Sequence, residues 1–196
     1  MKSNTWNIIP ELNYGKKSLN FVVKDTKPDG NCQFRSIGQA IGINHKTLRK
    51  WVALYIINDC EQEEFNHITM IYQTEKKYGE FKGHWNPDNI KNRKDLAAEV
   101  IKSGFNFEGD DITLSILSKV LKLDFLILTE RHSRFYINKI QTPGNIFFVM
   151  LNYISFGNSG HYKTIGFKLK NYIKTIFDIK IFHKVIKILS YKINAR

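Results

Sequence analysis

The alternation of apolar and polar residues predicts several amphipathic helices and a run of strands. Apolar side chains recur at the helical period in five stretches: residues 34–41, 46–58, 65–79, 93–103 and 111–121. Strand-like patterns cover residues 21–23, 123–129, 134–140, 146–152 and 161–167, and the Pro-Gly pair at 143–144 predicts a turn between two of them. We therefore expect an α+β protein whose central sheet, mixed or antiparallel, is flanked by helices.

The two ends of the chain differ from this pattern. Residues 1–20 carry isolated apolar positions without periodicity, and we interpret them as an irregular arm. Residues 179–193 form an added amphipathic helix, with lysines on one half and large apolar residues on the other. The apolar half consists of Ile181, Phe182, Val185, Ile186, Ile188 and Leu189. We expect this half to dock on the domain, and binding to a membrane surface or a partner is the alternative.

Positive charge is concentrated at the C-terminus. The net charge is +12 over 196 residues, and residues 168–196 carry eight Lys or Arg against one acid. We divide the chain into a domain, residues 1–167, and a basic C-terminal extension, residues 168–196. The extension would attract an anionic partner, either a membrane surface or a nucleic acid.

Cysteine usage and hydropathy predict an intracellular protein. Two cysteines, Cys32 and Cys60, are too few for a disulfide framework and fit a reducing compartment. Neither lies at zinc-ligand spacing, so we predict no metal site and no cofactor. The chain shows no signal peptide and no apolar run of about 20 residues, the length of a membrane span. We expect a cytoplasmic location, in the host cytoplasm if the source is viral or bacterial.

Cys32 lies where a tight Asp-Gly turn leads into the first turn of a predicted helix. Unpaired backbone N–H groups and the positive end of the helix dipole favour a thiolate there and would lower the pKa of the thiol. The same N–H groups would bind the oxyanion of an acyl intermediate. The alternative is that Cys32 is a small buried hydrophobic residue, unless a base is found for it.

His161 is the best candidate for that base among six histidines. It follows a loop of small residues, predicted over 155–160, and begins a strand beside Tyr162. A histidine at the mouth of a strand is held rigidly while its ring faces an open edge. A catalytic cysteine requires such an imidazole, usually from a distant part of the chain.

Three segments resemble the ovarian tumour (OTU) family of deubiquitinating cysteine proteases. Residues 28–36 (PDGNCQFRS) resemble its cysteine box, residues 160–162 (GHY) its histidine box, and residues 109–114 (GDDITL) its middle segment. The resemblance spans residues 19–167 and implies the papain-like OTU fold. It leaves residues 168–196 outside.

The resemblance implies a role for each matching residue. Cys32 would be the nucleophile, His161 would be the general base and acid, and Asp29 is a candidate third residue. The oxyanion hole would be formed by the backbone N–H groups of Gly30, Asn31 and Cys32. The substrate-binding residues would be Trp85, Asn158, Gly160 and Tyr162.

The implied partner is ubiquitin, polyubiquitin or a ubiquitin-like modifier. The enzyme would cleave the isopeptide or peptide bond after the modifier's C-terminal glycine. Acidic residues would contact the Arg-containing tail of ubiquitin, and the candidates are Asp88, Glu108, Asp110 and Asp111.

Lys163 is the one departure from the family pattern. The family commonly has Asp or Asn two residues after the histidine, to orient its ring, and lysine has no acceptor. Either Asp29, Asn31 or Asn158 orients the ring, or a Cys–His dyad suffices, or the enzyme is impaired. We favour an active enzyme and expect Lys163→Asp or Lys163→Asn to leave activity unchanged or to raise it.

Two other functions remain open. The chain would be a catalytically impaired ubiquitin-binding module if Lys163 prevents turnover. A basic nucleic-acid or membrane-surface binder would act through residues 168–196.

Overall fold

The computed structural model describes residues 5–8, 20–131, 134–156 and 159–194. Six helices are present in these ranges: α1 (Cys32–Ile41), α2 (His45–Asn58), α3 (Gln62–Lys77), α4 (Arg93–Ile101), α5 (Asp111–Leu121) and α6 (Phe182–Asn194). The strands are β1 (Trp6–Ile8), β2 (Phe21–Lys24), β3 (Leu123–Arg131), β4 (Arg134–Ile140), β5 (Phe147–Phe156), β6 (Ser159–Lys168), β7 (Ile173–Lys174) and β8 (Ile176–Asp178).

Several helix boundaries follow directly from capping residues. The Asn44 side chain caps α2 by accepting a hydrogen bond from the Lys46 N–H. Asp110 caps α5 and forms a capping box with Thr113. Helix α1 ends at Gly42, whose φ of 76° lies in the left-handed region.

One mixed sheet organises the fold. Its strands lie in the order β1-β2-β6-β5-β3-β4, with β7 added beside β6 and β8 beside β5. The β3–β5 pair is parallel, and the other pairs of this path are antiparallel. The expectation of an α+β protein with a mixed sheet is confirmed.

The predicted turn at residues 143–144 does not join two paired strands. β3 lies between β4 and β5, so this connection carries the chain across β3. The reason is burial: β3 is apolar on both faces and occupies an interior position, whereas β4 exposes side chains such as Tyr136 and forms the edge. The predicted turn is present at residues 143–144, and it joins β4 to β5 across β3.

The two faces of the sheet are covered by different helices. Alternate residues of β3, Phe125 and Ile127, face a core that also contains side chains from α1 to α5. Their neighbours Leu126 and Leu128 face a smaller core on the other side, where α6 packs. The alternation follows from the two-residue period of a strand.

The N-terminal segment differs from the expectation, whereas the C-terminal helix agrees with it. Trp6–Ile8 forms β1 and pairs with β2, so part of the expected irregular arm is a strand, and residues 9–19 lie outside the described ranges. The apolar half of α6 packs on the sheet through Phe182, Val185 and Leu189. Ile181, predicted on that half, is 38% exposed because it precedes the helix in a 3-10 turn. None of the described helices has the length and apolar character that a bilayer crossing requires.

Candidate active site

The cysteine turn, residues 28–32, requires glycine at position 30. Gly30 has a φ of +73°, in the left-handed region that side chains disfavour. A Cβ at this position would also lie 2.6 Å from the carbonyl oxygen of Gly104. Helix α1 begins directly after the turn, at Cys32, with Asn31 as its N-cap residue.

The Cys32 thiol is buried beneath the surface of a cleft, with 9% of the residue exposed. Burial raises the pKa of this thiol, although the backbone N–H groups of Tyr162 and Gln33 act to lower it. The lowering expected from the helix N-terminus therefore does not prevail. Tyr162 directly follows His161 in the sequence, so the contact with the Tyr162 amide brings the sulfur to the neighbourhood of His161.

His161 is held by a carboxylate that the sequence analysis did not identify. Its Nε2 lies 2.7 Å from the Oδ1 of Asp25. Its other ring nitrogen, Nδ1, is buried and has no hydrogen-bond partner among the residues that the structure describes. A carboxylate at Nε2 fixes the tautomer in which Nδ1 is free to accept a proton.

Asp25 reaches His161 because β2 pairs with β6. Lys24 lies opposite Thr164 in this pair, and Asp25 follows one position later. The adjacent residue, Thr26, holds the segment after β2 against β6, because its hydroxyl donates a 2.7 Å hydrogen bond to the Tyr162 carbonyl. Asp25 could have been found from the sequence. If the first predicted strand, 21–23, pairs antiparallel with the last one, 161–167, the residues after position 23 lie beside the start of the last strand, where His161 is.

Lys163 also contacts Asp25, with 3.7 Å between its Nζ and Oδ2. Burial raises the pKa of Asp25, but the hydrogen bond from His161 and the charge of Lys163 outweigh it and hold that pKa below its usual value. Asp25 is therefore ionised at neutral pH. The carboxylate at His161 therefore comes from the residue that directly follows the neighbouring strand β2, and a lysine occupies the position two residues after the histidine.

Asp29 has a different set of partners. Its Oδ2 accepts from Arg35 Nη2 at 2.8 Å, and its Oδ1 accepts from Arg35 Nε and from the Asn31 backbone N–H. These bonds hold the pKa of Asp29 below its usual value although burial raises it. Asp29 thus closes the cysteine turn onto α1, and Asp25 is the carboxylate at His161.

The backbone N–H groups predicted to form an oxyanion hole are not equivalent. The Asn31 N–H already donates to Asp29 across 3.2 Å. Gly30 and Cys32 both line the cleft, so their N–H groups are the better candidates.

A buried arginine lies beneath the cysteine turn. Arg49, on α2, is 1% exposed. Its guanidinium donates to the Asn31 Oδ1 from Nε and Nη2, at 3.1 and 2.9 Å. It also donates to the carbonyls of Val100 and Phe107, at 2.9 and 2.8 Å. No feature of the sequence pattern pointed to this residue.

The cleft that contains Cys32 has a volume of about 470 Å³. Three of the predicted substrate-binding residues line it: Trp85, Gly160 and Tyr162. Trp85 packs in an aromatic cluster, with its ring stacked on Phe107 at a centroid distance of 5.8 Å. A Cβ at Gly160 would collide with the Tyr153 ring. The fourth predicted residue, Asn158, lies outside the described ranges.

Acidic side chains dominate the charge of this cleft. Its charged lining consists of Glu75, Glu80, Glu108, Asp110, Asp111 and one cation, Lys82. Burial and the nearby Asp110 and Glu80 carboxylates raise the pKa of Glu75, as expected of clustered like charges.

The four acids predicted to contact ubiquitin differ in their surroundings. Glu108 and Asp111 line the cleft. Asp110 also borders it, but its carboxylate is occupied by the Tyr72 hydroxyl and the Thr113 N–H. Asp88 is exposed and forms an ion pair with Lys76, and it is not among the lining residues.

Comparison with known proteins gives one relative by sequence. No protein-family model matches the chain. "Putative ubiquitin thioesterase L96" of Tipula iridescent virus is 32% identical over 121 residues. The match covers 57% of this chain and 13% of that protein, so it concerns one part of a much longer relative.

Solved structures share the fold. An ovarian tumour domain in complex with ubiquitin superposes with a TM-score of 0.57 at 18% identity, over 91% of this chain and 84% of that one. The viral OTU domain protease from Dera Ghazi Khan virus gives a TM-score of 0.53 at 15% identity, over 85% of this chain and 97% of that one. At these identities the similarity establishes the architecture.

The mixed sheet, helix α1 that starts at Cys32 and strand β6 that carries His161 define an α+β domain with the architecture of these structures. The chain shares the fold of ovarian tumour domains and is similar in sequence to part of a viral ubiquitin thioesterase, in agreement with the family resemblance predicted from the cysteine and histidine boxes.

Proposed function

We propose that the chain is a thiol-dependent deubiquitinase that cleaves the bond after the C-terminal glycine of ubiquitin or a ubiquitin-like modifier. The observation that carries this proposal is the state of His161. One ring nitrogen is bound by Asp25, and the other is buried and has no hydrogen-bond partner within the described part of the chain. The next residue, Tyr162, contacts the Cys32 thiol through its backbone N–H. A buried polar atom without a partner is costly, and a catalytic role accounts for it.

Cys32 requires this base because burial raises the pKa of its thiol. The thiol proton moves to Nδ1 of His161, and the sulfur attacks the carbonyl carbon of the terminal glycine. The oxyanion that forms accepts hydrogen bonds from the N–H groups of Gly30 and Cys32. Asp25 orients the ring and stabilises the imidazolium.

Collapse of the tetrahedral intermediate breaks the bond to the leaving amine, which takes the proton from His161. A thioester between Cys32 and the glycine remains. Water then attacks this thioester with His161 again acting as the base, and the free carboxylate of the modifier and the Cys32 thiol are regenerated.

Ubiquitin is the proposed substrate because the negative cleft complements a basic, small-residue tail. Gly30 and Gly160 line the same cleft as Cys32 and add no side chain to it, which suits a glycine-containing tail. Glu80→Lys should raise the KM for a ubiquitin substrate several-fold, by about 1 kcal/mol of lost attraction, and leave kcat nearly unchanged. Glu63→Lys makes the same charge change outside the lining of the cleft and is the matched control.

The deciding experiment is hydrolysis of a fluorogenic amide of the ubiquitin C-terminus. The parent protein and Cys60→Ala should turn the substrate over, whereas Cys32→Ala and His161→Ala should not. Binding of ubiquitin without turnover by the parent would instead support the impaired ubiquitin-binding module.

The basic face of α6 supports a second proposal, that the extension attracts an anionic membrane or a nucleic acid. Lys184 and Lys187 are exposed on this helix while its apolar half is buried. Binding to anionic vesicles or to duplex DNA should weaken steeply with added salt and with Lys184→Glu/Lys187→Glu. Salt-insensitive binding, or none, would overturn this proposal.

A further inference from the structure

Arg49 joins three segments that meet under the active site. It is fixed on α2, and its five hydrogen bonds reach the cysteine turn (Gly30 O and Asn31 Oδ1), the Val100 carbonyl in α4 and the Phe107 carbonyl beside the cleft. The planar guanidinium sets the direction of each bond, which a lysine ammonium does not.

The Asn31 side-chain oxygen is the centre of this network. Besides Arg49, it accepts from the Ser103 hydroxyl at 3.2 Å and from the Gly104 N–H at 3.1 Å. Residues 103–104 also pack against the cysteine turn, because the Gly104 backbone leaves no room for a Cβ on Gly30. The backbone that carries Cys32 is therefore fixed from below by Arg49 and from the side by residues 103–104.

The charge of Arg49 is not neutralised by an ion pair. Among the described residues, no carboxylate lies within salt-bridge distance of its guanidinium, and Asp29, which acts on it from further away, is paired with Arg35. The Phe34 ring lies 4.3 Å from the guanidinium carbon and offers partial compensation. Burial lowers the pKa of Arg49 to about 10, so it stays charged at neutral pH.

A buried charge is expensive unless it is hydrogen-bonded, and loss of the guanidinium would leave the Asn31 Oδ1 and the carbonyls of Val100 and Phe107 without this donor. The cost of burying the charge is therefore offset by the bonds that it makes to the cysteine turn and its surroundings. A thiolate at Cys32 would raise the pKa of Arg49, and because the interaction of two charges is mutual, the guanidinium favours the thiolate against the larger opposing effect of burial on the thiol pKa.

We propose that Arg49 is a positioning residue of this site: its guanidinium fixes the backbone of Gly30 and Cys32 in the orientation that binds the oxyanion, and its charge favours the Cys32 thiolate. This inference rests on the proposed function of Cys32 as a nucleophile. It extends the site to a residue that does not border the cleft.

The test compares Arg49→Lys and Arg49→Gln with Leu48→Ala, a matched change at the adjacent, fully buried position of the same helix. All proteins carry Cys60→Ala so that only Cys32 reacts. Thermal unfolding sets a temperature at which each variant is folded. The readouts are the rate of reaction with a ubiquitin probe that carries a C-terminal electrophile, the affinity for ubiquitin, and the pH profile of alkylation by iodoacetamide.

Both Arg49 variants should react with the probe about 10²-fold more slowly while ubiquitin affinity is kept. Arg49→Gln should raise the pKa seen in the alkylation profile by about one unit, and Arg49→Lys by less, because it keeps the charge. Leu48→Ala should lose stability but keep the rate and the alkylation pKa. Rates and pKa values in the Arg49 variants that equal those of Leu48→Ala would overturn the inference.

Ser103→Ala decides the outcome if neither Arg49 variant folds, because it removes one exposed member of the same network. It should slow the probe reaction about threefold, the effect of one neutral hydrogen bond, without lowering the unfolding temperature. An unchanged rate would overturn the inference. Failure of the parent to react with the probe would overturn the proposed function instead, and the alkylation profiles, which need no ubiquitin, would still test Arg49.

Discussion

The cysteine side and the histidine side of the cleft are held in place in different ways. The cysteine turn is fixed by bonds within a few residues, such as Asp29 to Arg35, and by the buried network of Arg49. His161 is held by one carboxylate, Asp25, from 136 positions away in the sequence. Its second ring nitrogen has no partner among the described residues.

This difference separates stability from catalysis. The cysteine turn is determined by several interactions at once, so changing it should affect both folding and activity. The histidine side depends on a single partly exposed contact, so changing it should affect activity with little loss of stability. The comparison is tested by substitutions on each side.

The largest effect is expected from Asp25→Asn. Loss of the carboxylate leaves the His161 tautomer unfixed and the imidazolium unpaired, and the equivalent change in a serine triad costs about 10⁴-fold in kcat. We expect a loss of about 10³-fold in kcat, an unchanged KM and a nearly unchanged unfolding temperature. Asp29→Asn is the control and should lose far less activity. The reverse order would restore Asp29 as the third catalytic residue.

Gly30→Ala, on the cysteine side, should lower both the stability of the protein and its activity. The left-handed φ and the contact with Gly104 should together cost about 3 kcal/mol of unfolding free energy and displace the Cys32 backbone. Gly42→Ala is the matched control, because Gly42 also has a positive φ of +76° but open space around its Cβ position. It should cost about 1 kcal/mol and leave kcat unchanged. Equal losses in urea unfolding would show that Gly104 exerts no constraint.

Moving the carboxylate to position 163 should partly rescue the histidine side. His161 and residue 163 lie on the same face of β6, and Lys163 already reaches Asp25. Asp25→Asn/Lys163→Asp should recover about tenfold of the activity lost in Asp25→Asn. Lys163→Asn alone should stay within about threefold of the parent, since surface ion pairs contribute little. A large loss of activity in Lys163→Asn, measured by ubiquitin-amide hydrolysis, would show that Lys163 itself contributes to catalysis or substrate binding.

The smallest effect concerns the pH dependence of the Asp29–Arg35 pair. The pKa of Asp29 is lowered in the folded protein, so its stabilising contribution is present above the ordinary carboxylate pKa and is lost as the pH falls through the folded value. Parent and Asp29→Asn should differ by about 1 kcal/mol in unfolding free energy at pH 7. Urea titrations should show this difference shrinking below about pH 4. A constant difference would contradict the assignment.

The sequence was sufficient for features that depend on local patterns. The helices predicted over residues 46–58 and 111–121 correspond to α2 and α5, and the caps Asn44 and Asp110 each bond within the first turn of their own helix. The fold class and the family resemblance were predicted for the same reason: the cysteine box is a continuous segment whose turn, glycine and helix start depend on neighbouring residues.

The rest depends on pairings between distant segments. Asp25 was overlooked because its role exists only once β2 lies against β6. Arg49 was overlooked because a lysine- and arginine-rich helix gives no sign of which side chain points inward. The order of the strands in the sheet was not predicted, because β3 pairs with both β4 and β5, and chain order alone does not reveal such a crossing.

The central claim is that Cys32 is the nucleophile for the C-terminus of ubiquitin. The direct measurement is mass spectrometry of the protein after reaction with a ubiquitin probe that carries a C-terminal electrophile. We predict one ubiquitin adduct, mapped to the peptide that contains Cys32 and absent from Cys32→Ala. An adduct on Cys60, or no adduct with ubiquitin or ubiquitin-like probes on the folded parent, would contradict the account.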